Sequence, residues 1–386
     1  MADDSFCDVE KMVNDGLHSM VLAIGYKVGI VTVIIDSVEP CTAEEISNKA
    51  NLNKRYVEEW LICMTAKGVV KIDDGKYYFP NKKQISEAAF VSTMLPIFAE
   101  CFPDLEKVMK NKTENKGYPF PQKALVWEGQ YKELSSFHDV TWLEDNVKPV
   151  IKSYFKDNKT NAATFNILDF GCGYGKLAFS LAKTYSNSLV WGVDIDAAAI
   201  DAGRNKAQKN SCLNVFFEKI VDGNMPDVWK EKFDFIIMSD VLHDLPDPNT
   251  IMANFRTVLK PGGYVIAFDP PIYTDHKKNI GYNDAIDFMP YSVFTCLPNS
   301  MSEKPAIGHG IGWGYEDKLK YIESQGFQVL AIDGEDVKFP KWRIVFQQIT
   351  VPELSISLRE TDRNLHKLVF SCCFRVNAKG MQHFLM

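Results

Sequence analysis

From Phe165 onward the chain alternates short apolar bursts with stretches of helical spacing. The bursts are Phe165–Phe170, Leu189–Val193, Val215–Phe217, Phe233–Met238, Tyr264–Phe268 and Phe327–Ile332. The segments between the first five read as helices. In Asp247–Leu259, for example, Ile251, Phe255, Val258 and Leu259 share one face before Pro261-Gly262-Gly263 ends the helix. Strands alternating with helices predict a parallel sheet covered on both faces, an α/β domain of the Rossmann-like, doubly wound kind. We place it at residues 161–350.

Ahead of it the pattern is mainly helical. Thr42 and Glu45 form a T-x-x-E capping box that starts a helix over Ala43–Ala50, and Asn51-Leu52-Asn53 makes a turn. A second helix over Lys54–Ala66 places Val57, Trp60, Leu61 and Met64 at core spacing, and Gly68 stops it. Val69–Ile72 and Lys76–Phe79 then read as two strands around Asp73-Asp74-Gly75. Helix, turn, helix, hairpin is a winged-helix pattern, assigned to residues 1–90. Residues 91–160 read as a helical connector with a polar loop near Lys110–Tyr118, and 351–386 as an extension without assignment. The longest apolar run, Val21–Ile35, is interrupted by Gly25, Lys27 and Gly29, so it predicts a buried helix and no membrane span.

Charge narrows what the winged helix does. The whole chain carries −7, and residues 1–100 hold ten Lys/Arg against fifteen Asp/Glu. The second helix mixes Glu58 and Glu59 with Lys54 and Arg55, a poor surface for phosphates. A packing or homodimerisation module is expected rather than a reader of nucleic acid. The nine cysteines show no CxxC pair and no His/Cys cluster, which predicts neither a disulfide framework nor a metal site. The acidic start Met1-Ala2-Asp3-Asp4 is unlike a signal peptide. These points together predict a cytoplasmic, soluble protein.

The first burst of the α/β region ends in Asp169-Phe170-Gly171-Cys172-Gly173-Tyr174-Gly175, and a helix follows. Glycines at a strand-to-helix turn let the backbone bend tightly and come close to a ligand. The spacing is G-x-G-x-G, with an acid two positions before the first glycine. S-adenosylmethionine (SAM) has an ammonium, a carboxylate and a sulfonium but no phosphate. Asp169 suits the ammonium, and backbone amides suit the carboxylate. The second strand ends at Asp194, where a carboxylate accepts ribose hydroxyls. A dinucleotide-binding domain is the alternative for this turn.

Residues 166–270 resemble the class I SAM-dependent methyltransferases at successive landmarks. These are the acidic glycine loop, Gly192-Val193-Asp194-Ile195-Asp196, Phe233-Asp234, Val241-Leu242-His243-Asp244 and Leu259-Lys260-Pro261-Gly262-Gly263. The helical segment in front is similar to that of small-molecule O-methyltransferases, where it mainly dimerises. The resemblance implies SAM as cofactor, with Asp169, Phe170, Gly171, Gly173, Gly175, Asp194, Ile195, Asp222 and Asp240 around it. Asp222 stands one position later than the family's adenine-side acid. The resemblance also implies a final antiparallel strand near the sheet edge, supplied by Arg343–Ile349. His243 is nominated as the general base for a small-molecule acceptor, with Asp244 orienting the imidazole or the acceptor.

The segment 272–314 reads as an acceptor-side insertion. Phe288, His309 and Trp313 are its candidate acceptor contacts, in a glycine-rich turn that suggests a lid. Asp269-Pro270-Pro271-Ile272 shares letters with the D-P-P-aromatic signature of amino-methyltransferases. It follows the wrong strand and lacks the aromatic residue, so it reads as a rigid turn. The leading expectation is O-methylation of a small molecule. A nitrogen, carbon or protein acceptor is one alternative, and a SAM-binding winged-helix regulator is another.

Overall fold

The computed structural model describes residues 8–110, 116–135, 137–154, 164–221, 223–333 and 342–349. The expected extension 351–386 lies outside them.

Local signals set the amino-terminal helices. Helix α1 (Val9–Lys27) begins where the Asp8 side chain accepts the Lys11 amide, and α2 (Ile30–Asp36) starts anew after Gly29. The apolar run Val21–Ile35 is therefore two helices, because Gly29 takes a positive φ of 89° and turns the chain. The capping box forms as the sequence predicts. Glu45 N–H donates to Thr42 Oγ1 at 3.2 Å and the Thr42 amide to Glu45 Oε2 at 2.7 Å, opening α3 (Ala43–Ala50). Helix α4 (Lys54–Ala66) is capped by Asn53 and buries Val57, Trp60, Leu61 and Met64. Trp60 crosses α1 at Gly25, where a Cβ would lie 2.3 Å from the indole, and its Nε1 donates to Val21 O at 2.7 Å. The hairpin is shorter than expected, with β1 (Lys71–Asp73) antiparallel to β2 (Lys76–Tyr78).

Helix α5 (Lys82–Ser92) runs through the expected boundary at residue 90 and nearly into α6 (Met94–Lys110). Lys82–Lys110 is long and apolar enough to cross a membrane. Its apolar residues Phe90, Met94, Ile97 and Phe98 are nevertheless buried in a core with Trp127 of α7 (Gln122–Leu134). Helices α8 (Val140–Asn146) and α9 (Lys148–Tyr154) complete the connector.

The sheet then begins. In order come β3 (Asn166–Phe170), α10 (Lys176–Thr184), β4 (Leu189–Asp194), α11 (Ala197–Lys209), β5 (Val215–Lys219), β6 (Phe233–Ser239), α12 (Pro248–Val258) and β7 (Leu259–Asp269). The insertion contributes α13 (Asn283–Tyr291), a π-helical turn at Ser292–Cys296 and α14 (Leu297–Ser300). Helix α15 (Tyr315–Ser324), β8 (Phe327–Asp333) and β9 (Trp342–Gln348) close the fold.

The seven strands stand in the order β5-β4-β3-β6-β7-β9-β8. Strands β3 to β7 pair in parallel, while β9 is antiparallel to both β7 and β8. The antiparallel strand is thus present over the expected residues. It lies one place in from the edge because β8 pairs on its far side. Both faces are covered: Ile167 joins a core with α8 to α11, and its neighbour Leu168 joins one with α12 and α15. Order reverses at β3, which leaves a crevice beyond the carboxyl ends of β3 and β6.

Candidate active site at the carboxyl edge of the sheet

The loop after β3 holds its shape through main-chain bonds. The Gly171 and Cys172 amides donate to Val193 O at 2.8 and 2.9 Å. Gly173 N–H donates to Asp194 Oδ2 at 2.8 Å, and Asp196 N–H to Asp194 Oδ1 at 2.9 Å. Asp194 therefore ties the end of β4 to the loop of β3. Gly171 has φ 74°, and a Cβ on it would lie 2.3 Å from Val241 Cγ2. A Cβ on Gly173 would meet nothing within 4 Å, since that glycine faces a cavity of about 560 Å³.

Phe170, Gly171, Gly173, Asp194, Ile195 and Asp240, expected around the cofactor, line this cavity. Asp240 follows β6 with φ 59°, a left-handed conformation uncommon outside glycine and found where function holds the backbone. Gly175 does not line it; a Cβ there would strike the Phe217 ring at 2.5 Å, so this glycine serves packing. Asp169 does not line it either. It is 2% exposed, lies behind the wall, and receives the Ala178 amide, while its Oδ2 is buried without a hydrogen-bond partner. Burial pushes its carboxyl up to about 7, against the pull of Lys132. Asp222 lies outside the described residues; Ile220 and Gly223 beside it line the cavity.

Sequence reasoning missed the opposite wall, which α7 and the turn after it supply. Lys132 pairs with Glu128 at 2.6 Å and faces the same space as Asp194. Burial works against the ammonium, but Glu128, Asp169 and Asp194 together hold its pKa above the ordinary lysine value. His138, itself buried with φ 64°, contacts Ser239 Oγ through Nε2 at 2.9 Å. Tyr174 lies against Gly129 of α7, where a Cβ would come within 2.6 Å of its ring. No motif spacing links residues 128–138 to the glycine loop; only the fold brings them together.

Asp244 also lines the cavity, with His243 buried beside it. His243 is 2% exposed and is not in the wall. Its Nε2 lies 3.3 Å from Asp244 Oδ1, and its Nδ1 2.8 Å from Asp269 Oδ1 at the end of β7. The second Asp269 oxygen meets Lys318 Nζ of α15 at 2.6 Å. Burial would lower the imidazole pKa, but Asp244 and Asp269 outweigh it and hold the ring above its ordinary value. Burial lifts Asp244 to about 6 despite His243. For Asp269 burial is outweighed by Lys318 and His243, and its carboxyl falls to about 2. Cys296 brings a thiol near His243 and Asp244, with the three ligand-type atoms within 4.8 Å of one another. Both imidazole nitrogens already face carboxylates, so the cluster reads as an acid–base centre rather than a metal site.

The insertion meets the cavity differently from expectation. Phe288 turns into a small core with Ile272 and Ala285. His309 stacks on Trp313 at 3.6 Å, and Trp313 is buried in the α12–α15 core. None of the three lines the cavity. Its acceptor-side wall is made by Pro119 and Phe120, by Leu245 and Pro246, and by Asn299 and Ser302. Apolar character was legible there, but its direction was not.

Residues 162–300 match a family model described as a methyltransferase domain, and residues 16–90 one described as an Rv2258c-like winged HTH domain. The chain thus carries a methyltransferase domain behind a segment similar to a winged helix. The ubiquinone biosynthesis O-methyltransferase of Acinetobacter baumannii (strain AYE) is 27% identical over 146 residues, 38% of this chain and 58% of that protein. The chain thus spans under two thirds of that relative. Among solved structures, an O-methyltransferase family protein from Burkholderia thailandensis superposes with TM-score 0.62 at 13% identity, covering 90% of this chain and 99% of that one. Human N-acetylserotonin methyltransferase, solved in complex with SAM, gives 0.58 at 15% identity, covering 90% and 100%.

The residues present fit SAM. Gly173 leaves open space at the loop, Asp194 offers a nearly buried carboxylate at the end of β4, and Lys132 supplies a cation. Asp194 would hold the ribose and Lys132 the methionine carboxylate, with the glycine-loop backbone between them.

Proposed function

We propose that this protein transfers a methyl group from SAM to a hydroxyl of a small molecule. The observation that carries the reading is that one cavity is lined both by the Gly171–Gly173 loop with Asp194 and by Asp244. SAM supplies an electrophilic methyl on sulfur. In the transfer the sulfur–carbon bond breaks, an oxygen–carbon bond forms, and S-adenosylhomocysteine leaves as a neutral thioether. The acceptor's proton goes to the Asp244–His243 pair. Asp244 stands at the wall, and His243, held by Asp269, takes up the charge behind it. Aligning acceptor and methyl supplies much of such a rate, and a placed base adds roughly 10²- to 10⁴-fold.

The protein works in the cytoplasm as a homodimer. Six cysteines among the described residues are free thiols, which suits a reducing compartment. Val9, Met12, Val13, Leu17, Met20 and Ile24 expose an apolar face on α1, 42–61% exposed, which a second copy would cover. Nucleic acid is not a partner in this reading. Lys54 pairs with Glu44 at 3.1 Å and Arg55 pairs with Glu59, so the charges of α4 are largely spent.

Labelled SAM and a panel of small phenols and alcohols test the reading. Methyl transfer to an oxygen acceptor is expected, with His243→Ala lowering kcat at least 100-fold. S-adenosylhomocysteine affinity should stay within about threefold. Turnover unchanged by that substitution would remove the proton-taking role.

A further inference from the structure

Lys318 is 1% exposed, a costly place for an ammonium. Its neighbours on α15 include Ile322, buried in the apolar core with α12, and Leu319 and Tyr321, packed against that core, where an aliphatic side chain would pack at less expense. The lysine instead reaches Asp269 Oδ2 at 2.6 Å and donates to Pro270 O at 3.4 Å. The other Asp269 oxygen is the partner of His243 Nδ1 at 2.8 Å. Lys318, Asp269, His243 and Asp244 thus form one buried line ending at the cavity wall.

We propose that Lys318 is a positioning residue: its cation, paired with Asp269, tempers the pull of the two carboxylates on His243, so that the ring, bound to Asp269 through Nδ1, gives up its second proton more readily and Nε2 can share the proton taken at Asp244. The proposal rests on the reading of the cavity as a methyl-transfer site that accepts a proton.

The charge count explains the need. A neutral imidazole between two bare carboxylates binds a second proton tightly, and an imidazolium accepts nothing further. Lys318 opposes that uptake, tempering the pull of Asp244 and Asp269 that holds the ring above its ordinary value. The other groups facing the line do not supply this balance. Asp244 lies on the histidine's own turn and Asp269 at the end of β7, and both favour the cation. Cys296, beside Asp244, is a thiol that burial keeps protonated. Glu128 acts on Asp244 from the cavity and adds negative charge. His309, near Lys318 and Asp269, is held toward its neutral form, burial first and Lys318 second.

The test follows the His243 ring directly, by NMR titration of the full chain labelled at histidine, with His243→Asn to assign the signal. In Lys318→Met the His243 midpoint should rise by at least one pH unit. The acid limb of the methylation profile should rise with it, while affinity for S-adenosylhomocysteine stays within threefold. In the double variant K318M/D269N, which keeps an oxygen acceptor for Nδ1 but no charge, the midpoint should return to the wild-type value or below. K318R should titrate within half a unit of wild type. An unmoved midpoint in a Lys318→Met protein that still binds S-adenosylhomocysteine would overturn the proposal. So would a double variant titrating above wild type, which keeps the test decisive if the single variant does not fold. The titration needs no acceptor. Full turnover in His243→Ala alongside a shifted midpoint would therefore overturn the proton-taking reading and leave the charge coupling standing.

Discussion

The Asp194 carboxylate receives the Gly173 amide at 2.8 Å while also facing the cavity. One side chain thus shapes the glycine loop and presents its remaining lone pairs to a ligand. Burial raises its pKa, and the amides of Asp196 and Gly173 work against that rise. The cost of burying this acid is thus partly offset by backbone donors before any ribose arrives.

Asp194→Ala should therefore do more than remove a ligand contact. It leaves two amides without acceptors, each a loss of about 1–3 kcal/mol when buried. S-adenosylhomocysteine affinity, measured by calorimetry, is expected to fall at least 100-fold. Asp194→Asn, which retains an acceptor oxygen, should lose less. Equal losses in the two variants would show that the loop bond contributes nothing.

Gly171→Ala places a Cβ within 2.3 Å of Val241 at a φ of 74°. Strain of this kind costs on the order of 1–3 kcal/mol. Val241 lines the cavity, so its displacement also reshapes the wall. A lowered melting temperature together with at least tenfold weaker S-adenosylhomocysteine binding is expected. Gly173→Ala meets no neighbouring atom but keeps the left-handed strain of its φ of 51°, so it should lower stability less than Gly171→Ala while still weakening the ligand.

Asp169 gives the fold a pH dependence. Its carboxyl is raised from 3.8 to about 7, chiefly by burial. Between about pH 4 and pH 7 the folded protein then holds a proton that the unfolded chain has released. Stability should fall as pH rises through that window, with a slope up to roughly 1.4 kcal/mol per unit from this group. Denaturant melts of wild type and Asp169→Asn across pH 4–8 measure it. The difference between them should grow with pH and level off above 7.

The apolar face of α1 makes a claim about assembly. Leu17→Glu places a charge where 61% of the leucine is exposed in the single chain. The monomer should fold normally, and light scattering should show the dimer giving way to it. A wild-type protein that is monomeric at micromolar concentration would remove the interface.

Much of this was readable from residues alone, for local reasons. The capping box at Thr42, the core spacing of α4 and the turn at Gly171–Gly175 each depend on neighbours a few positions apart. Asp194 was legible because an apolar burst ends there. Lys132 and His138 were not, because their place in the wall comes from packing between distant segments. Direction was the other gap. Phe288 and Trp313 were visible as apolar residues near the acceptor side, but an aromatic ring buries equally well in a core. His243 was visible by its strand, while its screening by Asp244 depends on a 3₁₀ turn at Leu242–Asp244 that no periodicity announces.

Because α7 supplies one wall and the sheet the other, the vessel for the nucleoside has two halves made at different moments of synthesis. A ribosome that has released only the segment through α7 has built one half, and it waits for roughly a hundred further residues before Ser239 and Asp240 arrive. A sheet expressed without that helix would lack the Glu128, Gly129 and Lys132 side of the cavity.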